Sequence, residues 1–346
     1  MKTFLLATHR HLPWGTADRA AYYLTRNGCP VTTIEHPLRP DSQACSLLIP
    51  SEGPPQRVPR RPGGRRRYLE DFRLTARWSR SGTPDTAVGF DALCAAALAR
   101  GLRGRARVVL YLVDWTSGSH LVNGANRLTA RLVDEIWCIT PAIAARLARP
   151  GIRVVPNLPL RFADGPPVVP GRLADIRLGY IGHLTAEQDL TPFLQALALL
   201  PAATRPSLVI AGDGPCRTRY VRMCADMGLD RVVFTGRLTT EQELAGFYRS
   251  IHYGLAPYNS GRVRQTAQGD SIKAADYVAN YRFVLMTCRI PGTDRIRDDG
   301  LGRYIPENPR GIAGSLTELP GARVNAPAAD AFLEERCRIF REVCRL

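Results

Sequence analysis

Lysine is almost missing from this chain. Of the 47 Lys and Arg residues among its 346, two are lysine, Lys2 and Lys273, so an internal ammonium is confined to one position. Nine cysteines occur singly, with no Cys-x-x-Cys pair and no Cys/His cluster at zinc spacing. That argues against a disulfide scaffold and a structural metal, and for a reducing, cytoplasmic setting. No apolar run approaches the roughly 20 residues that span a bilayer. Lys2 is followed by the short run Thr3 to Ala7 before His9, Arg10 and His11, which does not read as a signal peptide. Any membrane contact is expected to be peripheral, on the inner face of the plasma membrane.

The length exceeds what one core serves, so two domains of about 150 residues each are expected. Hydrophobic residues make up 45% and charged residues 23%, enough to bury a sizeable core in each. The formal net charge is +16, nearly all of it from Arg. Such an excess attracts nucleic acid, anionic lipid or phosphorylated substrates. No nucleic-acid-binding module is recognisable, so nucleic acid is not an expected partner.

Residues 3–7 read as a buried strand, 14–27 as a helix ending at Gly28, and 31–34 as a second strand, the opening of an α/β domain. The loop Thr8 to His11 falls at the carboxyl end of the first strand, where open parallel sheets bind ligands, and offers His9 and His11 as acceptor contacts. Residues 57–80 interleave arginines with aromatics, and Tyr68 to Trp78 can form an amphipathic helix. Arg65, Arg66, Arg67, Phe72 and Trp78 are the residues that would meet an anionic membrane, with a solvated loop and surface helix as the plain alternative. The strand expected at 107–113 runs into Asp114 and Trp115. A carboxylate there is placed to take the proton of an acceptor hydroxyl, or else to cap the next helix. Trp115 would lie beside the acceptor.

A Pro/Gly-rich stretch at 159–171 precedes a second α/β series. Its strands at 177–181, 207–211 and 231–235 run into Gly182-His183-Leu184, Gly212-Asp213-Gly214 and Gly236-Arg237-Leu238. Glycine at 182 lets a backbone come close to a diphosphate. Beyond a strand at 253–256 and Tyr258, a polar loop feeds a helix capped by Ser271, with Ile272 and Lys273 on its first turn. Such a turn carries unpaired N–H groups and the positive end of the helix dipole, which stabilise an anion. Lys273 and Asp276, three residues apart, either grip a diphosphate and a ribose diol or form an ordinary pair on a solvated helix.

The run Lys273-Ala274-Ala275-Asp276-Tyr277, followed by Asn280-Tyr281-Arg282 and a buried strand, resembles the nucleotide-sugar site of GT-B glycosyltransferases. The order LVIAGDGP, helix, LDRVVFTGRL, EQELAGFYRSIHYGLAPY is similar to that family's donor domain. Gly254 to Tyr258 and Ser271 to Lys273 resemble more closely the membrane-associated β-glucuronosyltransferases of xanthan assembly, where a strand like 107–113 also ends in Asp. The resemblance implies an α/β fold of GT-B architecture, two Rossmann-like domains with an interdomain cleft. Residues 1–160 would bind the acceptor, 161–171 form a linker, 172–325 bind the donor, and 326–346 form a helix packing back on the first domain. It implies Gly182, His183, Leu238, Tyr258, Ser271, Ile272, Lys273, Asp276 and Tyr277 at the donor, Asp114 as base, and no metal. The donor would be a nucleoside diphosphate sugar, a UDP-sugar above all, with no other cofactor. Retaining relatives carry Glu where this chain has Gln268, so inversion is expected. The acceptor would be a polyprenyl-diphosphate-linked glycan or a soluble small molecule. A nucleotide-sugar epimerase or a non-catalytic sugar-nucleotide binder stands as the other class.

Overall fold

The structure, a computed structural model, describes residues 1–10, 14–37, 56–57, 66–113, 115, 120–147, 149–262 and 269–346. They form two compact units, Met1–Leu158 with Arg338–Leu346, and Pro159–Cys337.

In chain order unit 1 runs β1 (Phe4–Arg10), α1 (Thr16–Arg26), β2 (Val31–Pro37), β3 (Gln56–Arg57), α2 (Arg66–Ser79), β4 (Thr86–Gly89) and α3 (Ala92–Leu102). It continues with β5 (Arg107–Leu112), α4 (His120–Thr129), β6 (Glu135–Cys138), α5 (Pro141–Leu147) and β7 (Arg153–Val154). The seven strands form one sheet in the order β3-β2-β1-β4-β5-β6-β7, with every pairing parallel. Parallel pairing demands crossovers, and crossover helices cover both faces, which is why β4 and β5 read as unbroken apolar runs and are buried almost throughout. The first strand is longer than its apolar run suggests. His9 and Arg10 stay in register with His36 and Pro37, so His9 sits on a strand and not in a loop.

Unit 2 repeats the plan. It contains β8 (Arg177–Ile181), α6 (Thr191–Leu199), β9 (Ser207–Ala211), α7 (Arg217–Asp226), β10 (Val232–Gly236), α8 (Glu241–Ser250) and β11 (Tyr253–Ala256). Then come α9 (Ile272–Ala279), β12 (Phe283–Met286), α10 (Thr293–Asp298), β13 (Gly302–Tyr304), α11 (Pro309–Thr317) and α12 (Ala326–Cys344). The sheet order is β10-β9-β8-β11-β12-β13, again all parallel. Helix starts follow local chemistry. Thr240 and Glu243 make a reciprocal capping box on α8, and Asn308 caps α11 ahead of Pro309. The first part of α12 belongs to unit 2, whereas Phe340, Val343 and Cys344 lie in the core of unit 1.

Both sheets reverse their winding at one pair of neighbours, β1/β4 in unit 1 and β8/β11 in unit 2. Open α/β sheets bind ligands outside the carboxyl ends of their strands at such a point.

Candidate functional site

At the switch point of unit 2, β8 ends in Gly182, whose φ of +148° is one that side-chain-bearing residues rarely adopt. The neighbouring turn after β9 comes closer still. Gly212 also has φ +148°, and a Cβ on it would fall 1.9 Å from the Gly182 carbonyl oxygen. Two strand ends therefore leave a backbone shelf where side chains would otherwise stand.

Lys273 lies across that shelf. A Cβ on Gly182 would be 3.2 Å from the lysine Cε. Its ammonium donates to Gln188 Oε1 and sits 5.1 Å from the ring centre of Tyr180 and 5.0 Å from that of Tyr258. The Tyr180 hydroxyl is 2.8 Å from the same Gln188 oxygen. Lys273 is 8% exposed, and burial alone drives its pKa down to about 7. Among the described residues no carboxylate is paired with it. Two aromatic faces and one amide oxygen solvate the charge poorly, so the site is electropositive and under-compensated.

The N-terminus of α9 opens beside it. Ser271 Oγ accepts from the Ala274 N–H at 3.2 Å and is held by the Tyr258 hydroxyl at 2.7 Å. The N–H groups of Ile272 and Lys273 precede the helical ladder and have no acceptor within the helix. An anion resting there meets two amides, the helix dipole and one ammonium.

The remainder of α9 faces elsewhere. Asp276 is 4% exposed, with Oδ1 accepting from the Leu160 N–H at 2.8 Å and Oδ2 from the Tyr248 hydroxyl at 3.0 Å. Lys273 and Asp276 are therefore not a solvated surface pair, because the helix is buried from Lys273 to Ala279. Tyr277 donates to the Gly179 carbonyl at 3.0 Å and accepts from the Ile181 N–H at 3.0 Å, pinning the end of β8 from below. Asn280 accepts from the Phe162 and Ala163 N–H groups at 2.7 and 3.0 Å. The start of the Pro/Gly-rich stretch is thus bound to the back of α9.

At the switch point of unit 1 the chemistry is different. His9 Nδ1 lies 2.8 Å from Asp91 Oδ2 and 3.4 Å from Cys94 Sγ, and its Nε2 lies 3.3 Å from Asp71 Oδ2. The other Asp71 oxygen is 3.3 Å from His36 Nδ1, and His36 Nε2 is 2.6 Å from Thr75 Oγ1. Asp91 also caps α3, accepting from the Cys94 N–H at 2.8 Å. Burial works against the charged form of His9, but Cys94 and the two carboxylates outweigh it and raise the pKa. Burial works against the charged form of Asp91 too, yet the hydrogen bond and charge of His9 bring it down to about 2. Burial pushes the Cys94 thiol up to about 12.

Of the residues singled out from sequence, the structure gathers Gly182, Tyr258, Ser271, Ile272 and Lys273. His183 follows Gly182 in the turn, its carbonyl 2.9 Å from the Tyr180 hydroxyl, and Leu238 is half-buried between β10 and α8. Trp115 is 2% exposed and packs in the core of unit 1, so it is no acceptor contact. Trp78 is turned against that same core and Phe72 is half-buried, because α2 lays one face on α3. Neither is a fully exposed side chain. Arg66 and Arg67 open α2; Asp114, His11, Arg65 and Gln268 lie outside the described residues. Sequence reading missed Gln188, Asp71, Asp91 and Cys94. The one signal was the Asp-x-x-Cys spacing at the start of α3, which reads as a cap.

Two Rossmann-like units with these strand orders are the GT-B architecture of glycosyltransferases. Residues 175–320, which hold the whole sheet of unit 2, match the family model "Glycosyl transferases group 1". The chain is also 36% identical over 83 residues to the GDP-mannose-dependent alpha-(1-6)-phosphatidylinositol dimannoside mannosyltransferase of Mycobacterium tuberculosis. That match covers 24% of this chain and about a fifth (21%) of the relative's length. Among solved structures, sucrose-phosphate synthase from Thermosynechococcus elongatus aligns over 100% of this chain and 98% of its own, with TM-score 0.72 at 14% identity. HepE of Anabaena in complex with UDP aligns over 100% and 99%, with TM-score 0.68 at 14% identity. The lipopolysaccharide outer core galactosyltransferase WaaB aligns over 99% and 100%, with TM-score 0.63 at 12% identity. At such identities the likeness is one of fold.

Proposed function

We propose that this protein is a glycosyltransferase that moves a sugar from a nucleoside diphosphate to a hydroxyl of an acceptor. The observation that carries the reading is the buried ammonium of Lys273, set between a glycine shelf and a helix N-terminus with no carboxylate paired to it among the described residues. Poised donors of this kind stabilise the diphosphate as the glycosidic bond breaks. In this reading the diphosphate lies on Gly182, the Ile272 and Lys273 amides and the ammonium, so its charge is met without a divalent ion. Asp276 and Tyr277 hold α9 and β8 in place from behind. A UDP-sugar is the proposed donor, supported by the UDP bound in HepE, while the mycobacterial relative makes GDP the competing nucleotide. The likeness to xanthan-type enzymes favours a glucuronosyl group, and Asp114 is the proposed base of an inverting transfer.

The acceptor we favour is a polyprenyl-diphosphate-linked glycan met at the inner membrane face, supported by the arginines of 57–80. No helix among the described residues is long and apolar enough to cross a membrane. Trp78 turned into the core favours a second reading, a soluble acceptor. Vesicles of phosphatidylglycerol separate them. Salt-sensitive binding lost on changing Arg65, Arg66 and Arg67 to Ser supports the first, and no binding supports the second.

The donor reading is tested by thermal shift with UDP, GDP and their sugars. A ligand at 100 times its Kd stabilises the native state by about 2.7 kcal/mol. UDP is expected to raise the melting temperature of the wild type by several degrees and to leave Lys273→Ala unmoved. If neither nucleotide shifts the wild type, the reading fails.

A further inference from the structure

We propose that the switch point of unit 1 is a site for a divalent transition-metal ion of the zinc class, ligated by His9 Nδ1, Asp91 Oδ2 and Cys94 Sγ. One ligand atom from each of the three residues lies within 4.8 Å of the other two. The separations are 2.8 Å from Nδ1 to Oδ2 and 3.4 Å from Nδ1 to Sγ. A tetrahedral zinc with ordinary bond lengths sets such atoms roughly 3.3–3.6 Å apart. The His9–Asp91 distance must open by about half an ångström, and the His9–Cys94 distance already fits.

Each ligand is fixed by something other than the ion. His9 is on β1, in register with His36 of β2. Asp91 is the N-cap of α3, and Cys94 stands three residues on, where a helix brings its side chain back over the cap. Behind the histidine lies a buried support. His9 Nε2 faces Asp71, which is 4% exposed and is itself held by His36, 1% exposed and anchored on Thr75. A metal-ligating histidine characteristically gives its second nitrogen to a carboxylate in this way, which fixes the tautomer and leaves the first nitrogen for the ion.

The donor set decides the metal. One thiolate, one imidazole and one carboxylate suit zinc and its close transition-metal neighbours, while Mg²⁺ and Ca²⁺ prefer oxygen alone. Asp91 is the least buried of the three, its side chain about a third exposed, so the fourth position opens to solvent on its side. All ligands belong to unit 1, so the inference stands apart from the donor reading.

The test uses the full chain freed of metal by a chelator and titrated with Zn²⁺, Co²⁺ and Mg²⁺. We expect one equivalent of Zn²⁺ retained through gel filtration, a rise in melting temperature, and a near-ultraviolet thiolate charge-transfer band with Co²⁺. Cys94→Ala should abolish the band, and Asp71→Asn should weaken affinity about 10–100-fold while keeping it. Cys288→Ser, in unit 2, should leave everything unchanged. Should Cys94→Ala fail to fold, Asp91→Asn, which keeps a capping residue, is expected to shift the band and weaken binding. Absence of stoichiometric Zn²⁺ in the wild type, equal binding of Mg²⁺, or a band that survives loss of Cys94 overturns the proposal and leaves His9 as a charge-clamped structural histidine.

Discussion

At the carboxyl edge of unit 2 one ammonium is buried with no carboxylate paired to it among the described residues, whereas at the same edge of unit 1 an imidazole is held between two carboxylates. Both stand at the reversal of a parallel sheet, and both are reached by a strand end and the start of the helix that follows. They differ in how charge is met. Buried charges are ordinarily paired, because desolvation is costly. The histidine obeys that rule; the lysine does not, and its pKa falls to about 7 in consequence. A buried cation with no carboxylate partner among the described residues is a standing cost to folding, and under the proposed function the donor's diphosphate offsets it.

The sharpest way to break this contrast is to remove the ammonium. Lys273→Ala is expected to lower kcat/KM for the donor about 10²–10³-fold, the effect of losing one preorganised donor. Steady-state kinetics at fixed acceptor would show it, and a loss below tenfold would mean that the charge is not aimed at the reacting group. Next in size is the shelf. Gly212→Ala drives a Cβ to 1.9 Å from the Gly182 oxygen, and the clash should destabilise the fold by about 3 kcal/mol, read from urea unfolding. An unchanged midpoint would show that the turn relaxes freely.

Asp276→Asn then separates support from contact. It presents an N–H to a donor now served by a carboxylate oxygen, at a cost of about 1–3 kcal/mol in stability. Nucleotide affinity of the folded variant should stay within about twofold of the wild type, a change of less than 0.5 kcal/mol. A tenfold loss in titration calorimetry would restore the ribose role to this residue. The most gradual effect is that of pH. Because the folded pKa of Lys273 lies below its ordinary value, the folded state holds fewer protons than the unfolded one between about pH 7 and 10.5. Its cost to stability is therefore full below about pH 7 and is relieved as pH rises through that window. Nucleotide binding restores the ammonium by taking up a proton, so affinity should fall above pH 7, approaching tenfold per pH unit. Lys273→Arg should flatten that dependence; a wild type that binds equally at pH 7.5 and 9.5 would contradict the shift.

Much of this was legible in the chain. The unbroken apolar run of β5 announces a sheet covered on both faces, and the recurring strand-then-glycine ends at Gly182, Gly212 and Gly236 lay out the second unit in order. Ser271 and the rarity of lysine point at the α9 start directly. The roles of Asp276 and Tyr277 were not legible, for a physical reason. Spacing of three residues says that two side chains share a helical side, but α9 is buried all round, so neighbouring residues on it face different structures. The His9 cluster was hidden more deeply. His9, Asp71, Asp91 and Cys94 come from a strand, a helix, a cap and a second helix, and no local pattern joins them. Trp115 misled because a residue just past a strand looks exposed in sequence, while this one turns back into the core.

The desolvated lysine carries one more consequence, which concerns how the protein is handled in a test tube. An ammonium that gives up its proton near neutrality leaves a free amine, and a free amine is a nucleophile toward aldehydes. Pyridoxal phosphate brings an aldehyde and a phosphate together, and borohydride fixes the adduct. With Lys2 as the one other lysine, peptide mapping has two side chains to tell apart. The residue scarcest in the composition thereby becomes a chemical address, and nucleotides can be ranked by how well each shields it from the label.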